Sequence, residues 1–190
     1  MTTGRVEAFS DGVFAIIITI MVLELRTPDG ATLEALRPLL AEMGGYLLSF
    51  VLVGIYWNNH HHLLQVSERV TGSVLWANLH LLFWLSLVPF ATRWMREQSF
   101  APLPVAAYGV VLWMSGLAFF LLSRRLVRSH GGDSVLASVL GRDRKGLASL
   151  VLYTVAVLVS MRLPLVAVAI YWPVGVIWLV PDRRVERAMR

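Results

Sequence analysis

The side chains that could do chemistry in this sequence are few, and they stand among apolar residues. Ser10, Asp11, Thr19 and Glu24 interrupt an apolar run from Phe9 to Leu25. Asn58, Asn59, His60, His61 and His62 close a second run, and Asn78 and His80 lie inside a third. Polar and ionisable groups in such runs are costly and mark either ion pathways or buried pairs. A membrane-embedded enzyme would need acids, bases or metal ligands converging at one depth, and only Asp11 and the histidines are available for that. Adjacent histidines on a helix point about 100° apart, so three in a row cannot share one metal. Zinc pairs favour i, i+4 spacing with further ligands; no carboxylate stands at that spacing from these histidines, and the chain has no cysteine. No metal or cofactor is therefore expected. Buried carboxylates need charge-assisted hydrogen bonds, so Trp57, His60, His61, Asn78 and His80 are candidate partners for Ser10 and Asp11. Histidine titrates near neutrality, so His60 or His61 could also make the activity pH-sensitive.

On a helical wheel at about 100° per residue, Arg5, Phe9, Gly12, Ile16, Ile20 and Leu23 cluster within about 40° of a common direction, with Thr19 beside them. Ser10 and Asp11 point away from that stripe. In one reading the stripe is packing, or faces lipid. In the other, several copies meet on a symmetry axis and form a hydrophobic constriction that gates by dewetting. One stripe cannot enclose a pore, so the second reading requires an oligomer. Thr19 either offers its hydroxyl to a partly dehydrated cation or back-bonds to the carbonyl four residues earlier. Glu24 either concentrates cations at a mouth or is a solvated interfacial charge. Val53-Gly54-Ile55-Tyr56 resembles a carbonyl filter only superficially; it lies in a continuous apolar run without a second glycine, and reads as helix packing.

The elements that must position these groups follow from composition. The 190 residues are 57% hydrophobic and 15% charged, against about 25% charged in soluble domains. A core of this size could not bury so much apolar surface, so the chain is expected to be an all-α integral membrane protein. Spans are expected over approximately 7–25, 38–62, 72–94, 103–123, 146–161 and 163–180, as one transmembrane domain covering 1–190. The apolar stretch from Leu147 to Val180 would measure roughly 50 Å as one helix, against a hydrocarbon core of about 30 Å. Arg162-Leu163-Pro164 therefore divides it into a hairpin. Arg96 to Pro104 reads as a loop, and Val127 to Lys145 as a basic loop with an amphipathic portion facing anionic headgroups. Twelve basic residues fall on the side of both termini and five on the other, so both termini are expected in the cytoplasm. The same distribution makes the net charge of +5 a topological signal, and nucleic acid is not an expected partner. The N-terminus, with Glu7 and Asp11 in its apolar run, does not read as a cleaved signal peptide.

Arg5-Val6-Glu7-Ala8-Phe9-Ser10-Asp11 has the form R-x-x-x-F-S-D and is followed by Gly12-Val13-Phe14-Ala15-Ile16. That run resembles the opening of the first helix in the transmembrane protein 175 family, the endosomal and lysosomal potassium channels and their bacterial relatives. Tyr56-Trp57-Asn58-Asn59-His60-His61 and Leu87-Val88-Pro89-Phe90 are similar to the family's second and third helices. The resemblance implies a homotetramer of six-helix subunits whose first helices line a central potassium pathway, without a carbonyl filter or a re-entrant loop. Carried over by position, it puts the narrowest apolar ring at Ile16, further layers at Ile20 and Leu23, and a threonine ring at Thr19. Arg5, Phe9, Ser10 and Asp11, with Trp57, His60, His61 and Asn78, form the structural motif, read as a lock rather than as ion ligands. The expected function is a passive potassium-selective channel whose partners are its own copies, membrane lipid and potassium ions. The chain shows no second six-helix repeat, which points to a prokaryotic cell membrane. The rival is a cation- or proton-coupled secondary transporter, a class that usually shows internal repeats and broken helices.

Overall fold

The computed structural model describes residues 3–67, 70–130 and 144–179. Arg69, Arg142 and the basic tail, all used in the arginine count, lie outside the described residues, as does most of the Val127 to Lys145 loop. The described residues form seven helices and no strand. Helix α1 spans Thr3–Leu23, and α2, Leu33–Gln65, returns beside it. α2 starts earlier than its apolar run because Thr32 caps it: its hydroxyl accepts from the Ala35 N–H at 3.3 Å. Glu34 in the first turn complements the positive end of the helix dipole.

Helices α3, Gly72–Ser86, and α4, Val88–Glu97, are separated only by Leu87. Pro89 stands in the first turn of α4, where its missing N–H leaves no intrahelical bond unmade. The expected Arg96 to Pro104 loop is shorter in the structure. α4 carries on through Glu97, helped by an Arg93–Glu97 pair at i, i+4 and 2.9 Å, and α5, Pro102–His130, opens on a proline. Only residues 98–101 turn the chain. Helices α6, Arg144–Ser160, and α7, Pro164–Leu179, are joined by the tight turn at 161–163, where the Leu163 N–H donates to the Val159 carbonyl at 2.8 Å.

α5 packs against both α3 and α6, α6 pairs with α7, and α1 lies against α2, α3 and α4. The core between them holds Leu81, Leu85, Tyr108, Leu112, Tyr153 and Tyr171. Two small features set its spacing. A Cβ at Gly109 would collide with the Tyr171 hydroxyl and lie 2.7 Å from Val157 Cγ2, so α5 takes its neighbours against bare backbone. The Ser49 hydroxyl lies 2.8 Å from Thr92 Oγ1 and 2.9 Å from Tyr108 Oη, joining α2, α4 and α5 through buried hydrogen bonds. By length and composition α1, the Gly72–Glu97 segment and α5 can each cross a bilayer; α6 and α7 are shorter and apolar.

Candidate functional site

Helix α1 has two unlike faces. Val6, Ser10, Phe14, Ile17 and Met21 are buried against the body of the subunit. Arg5, Phe9, Gly12, Ile16, Thr19, Ile20 and Leu23 are exposed along the whole opposite face. Ile16 is 58% exposed and Leu23 81%, values a water-soluble helix would not tolerate in a contiguous row. From Phe9 to Leu23 the row extends roughly 20 Å at 1.5 Å per residue. It carries no charge between Arg5 and Glu24, so it can do no acid–base chemistry. Its one polar group is Thr19, whose hydroxyl lies 3.0 Å from the carbonyl oxygens of both Ala15 and Ile16. A hydroxyl donating inward still keeps its oxygen lone pairs free on the other side.

Polar contacts fasten α1 to α2 and α3. Asn78 Nδ2 donates to Ser10 Oγ at 3.0 Å, and the Ser10 hydroxyl donates in turn to the Val6 carbonyl at 2.8 Å. With its amide nitrogen so engaged, Asn78 presents Oδ1 to His60 Nε2 at 2.7 Å. That makes Nε2 a protonated, donating nitrogen. His60 Nδ1 is buried with no hydrogen-bond partner among the described residues, as suits the unprotonated nitrogen. The Phe14 ring covers His60, centroids 5.6 Å apart. Nearer the subunit surface, Trp57 Nε1 donates to Asp11 Oδ1 at 2.9 Å. His61 Nδ1 meets Glu7 Oε1 at 2.8 Å, and the Trp57 and His61 rings stack, 22° from parallel.

The sequence candidates are thus brought together, but sorted into separate pairs. His80 stays within α3, where it accepts from Trp84 Nε1 at 2.9 Å. Arg5 is exposed, and its side chain makes no hydrogen bond or ion pair among the described residues. Glu7 belongs to the cluster as well, although it is not among the candidate partners named from the sequence. A signal existed: Glu7 and Asp11 are four apart on α1, Trp57 and His61 four apart on α2, and an antiparallel pair aligns both couples. Among the described residues no group of three or more His, Asp or Glu side chains is placed to hold a metal.

A family model described as "Endosomal/lysosomal potassium channel TMEM175" matches residues 5–89, which include α1, α2 and α3. The chain is 49% identical over 190 residues to a potassium channel from Chryseobacterium sp., covering 100% of this chain and 99% of that one. To a potassium channel from Streptomyces collinus it is 36% identical over 135 residues, 67% of this chain and 66% of the relative. Among solved structures, the crystal structure of a lysosomal potassium-selective channel TMEM175 homolog from Chamaesiphon minutus superposes with a TM-score of 0.76. Identity there is 25%, over 93% of this chain and 96% of the other.

Proposed function

This chain belongs to the TMEM175 family of endosomal/lysosomal potassium channels, and on that footing we propose that four copies surround a central pathway lined by their first helices. It is a membrane protein that conducts potassium passively. The observation that carries the pore reading is the α1 face itself: an uncharged apolar row, exposed from end to end, on a helix whose other face is fully engaged. Four such rows facing one axis would cover each other and leave a narrow apolar passage.

In this arrangement α1, α2, the α3–α4 segment, α5, α6 and α7 are the six spans of a prokaryotic cell-membrane protein, with both termini in the cytoplasm. Ile16 forms the narrowest ring, and Ile20 and Leu23 form further apolar layers. Such rings pass an ion only if water can be shed or rearranged, so they act by dewetting rather than by a fixed ligand field. Thr19 supplies the oxygen that a partly dehydrated cation meets between them. The contacts behind α1 fix its rotation. A slip of one residue would swing Ile16 about 100° off the axis, and the Ser10–Asn78–His60 chain and the two carboxylate pairs resist that slip.

Flux from liposomes tests this. Wild type should pass potassium faster than sodium and ignore an imposed proton gradient, which removes the coupled-transporter rival. Ile16→Asn should leak both ions faster. A folded, assembled wild type that passes neither ion overturns the proposal. Flux left unchanged by Ile16→Asn puts the pore on another face.

A further inference from the structure

We propose that Arg96 is a positioning residue that tethers the C-terminal end of α1 and thereby sets the geometry of the Leu23 layer. The inference rests on the pore reading above. An arginine in the last turn of α4 would ordinarily reach for water. Instead the Arg96 side chain is only 3% exposed. Its Nη2 donates at 3.3 Å to the carbonyl of Glu24, the residue just past the end of α1 and next to Leu23. Its Nη1 lies 3.6 Å from Glu42 Oε2 on α2. Nε and Nη1 find no hydrogen-bond acceptor among the described residues.

The neighbourhood is built around that side chain. Gly45 stands three residues beyond Glu42 on α2, and a Cβ there would lie 3.1 Å from Arg96 Cγ and 3.3 Å from Cδ. The Phe100 ring would be 3.7 Å from the same Cβ. Phe100 reaches that place because α4 ends in two left-handed residues, Ser99 at φ 49° and Phe100 at φ 58°. The Phe100 N–H bonds to the Met95 carbonyl at 2.9 Å and the Ser99 N–H to the Arg96 carbonyl at 3.0 Å, a Schellman closure made without glycine. Glu97 is meanwhile taken by Arg93 at 2.9 Å and Arg26 at 3.7 Å, both exposed. Glu42 is the carboxylate left to Arg96.

As a device for stability alone this is a poor choice. A buried cation with under-satisfied nitrogens gains little over a well-packed apolar side chain. What a guanidinium adds is direction: a donor aimed at one carbonyl at the negative end of the α1 dipole. Leu23, with its side chain almost wholly outside the subunit, has no anchor of its own.

The chain has no cysteine, so Thr27→Cys and Met161→Cys can be spin-labelled cleanly in the full-length protein. Helix order puts the end of α6 at the same end of the bundle as the end of α1. Distances are read in liposomes with labelled chains diluted into unlabelled ones, and potassium and sodium flux is read on the label-free variants. Wild type should give one narrow distance distribution. Arg96→Met should broaden it and lower the potassium-to-sodium flux ratio by about threefold or more; Arg96→Lys should recover part of both. Gly45→Leu keeps the charge and favours helix, and its side chain, whose Cβ alone would lie 3.1 Å from Arg96 Cγ, takes the space of the arginine stem and should broaden the distribution as well. Unchanged distances in assembled Arg96→Met, or in assembled Gly45→Leu if the former does not fold, overturn the tether. Broadened distances with an unchanged flux ratio overturn its link to the Leu23 layer. A wild type without flux sinks the pore reading, while the distances still decide the tether.

Discussion

Asn78 donates to Ser10 and accepts from His60. Truncating it leaves the buried His60 Nε2–H without a partner and takes one of its two hydrogen bonds from Ser10, which keeps the bond to the Val6 carbonyl. Leaving a buried group unpaired costs about 1–3 kcal/mol, although hydrogen bonds between membrane helices average nearer 0.6 kcal/mol. Asn78→Ala should therefore lower the melting temperature of the detergent-solubilised protein by several degrees, read from the loss of its size-exclusion peak. Adding Ser10→Ala should lower it little further, because the bond is already gone; full additivity would mean that the two residues do not share a network. Thr19→Val separates the two roles of that hydroxyl. The variant keeps shape and assembly, so a fall in potassium flux assigns the oxygen to the ion, and unchanged flux leaves it to the helix backbone. Much of this was legible in the sequence, because a polar side chain inside an apolar run must find a partner. The pairing was not. A helical wheel gives direction but not the register of one helix against the next, so it neither pairs Glu7 with His61 nor shows that His80 turns to its own helix.

At the scale of the element, hydropathy located the helices and local chemistry ended them. The second helix runs from a threonine cap that no hydropathy profile registers, and α4 runs on through Arg96 and Glu97 because Glu97 pairs with Arg93 and Arg96 with Glu42. Apolar content counts such residues as loop; only their partners make them helix. Packing between helices was less legible still. Gly109 and Gly116 are seven residues apart on one face of α5, and both abut α6: a Cβ at Gly116 would lie 3.3 Å from Leu150 Cδ2. Small residues let membrane helices approach closely, and here the side chains of Tyr171 and Val157 fill the space at Gly109. Overpacking typically costs about 1–3 kcal/mol, occasionally more. Gly109→Val should exceed that range and abolish the monodisperse peak, whereas Gly54→Ala, with open space around its Cβ and a better helix former in mid-helix, should keep the peak and leave its melting temperature unchanged or slightly higher.

For the whole molecule, the question is what covers the apolar surface that one subunit leaves bare. Ile16 and Leu23 on α1, Trp76 on α3, and Leu158 on α6 are all exposed, and exposure alone does not distinguish a face toward lipid from a face toward another copy. Symmetry does. Residues on a rotation axis lie close to their own counterparts, and residues on the lipid side do not. Because the chain lacks cysteine, any single cysteine variant can form a disulfide only between subunits, and such a bond needs Cα atoms about 4.4–6.8 Å apart. Ile16→Cys should therefore convert to a covalent dimer under mild oxidation in the membrane, at low protein density. Trp76→Cys and Leu158→Cys, treated alike, should remain monomeric on the gel. Native mass spectrometry of the same samples should report four chains. If Ile16→Cys fails to cross-link while Leu158→Cys succeeds, the copies meet through α6, the α1 row faces lipid, and the conduction path must be sought between other helices.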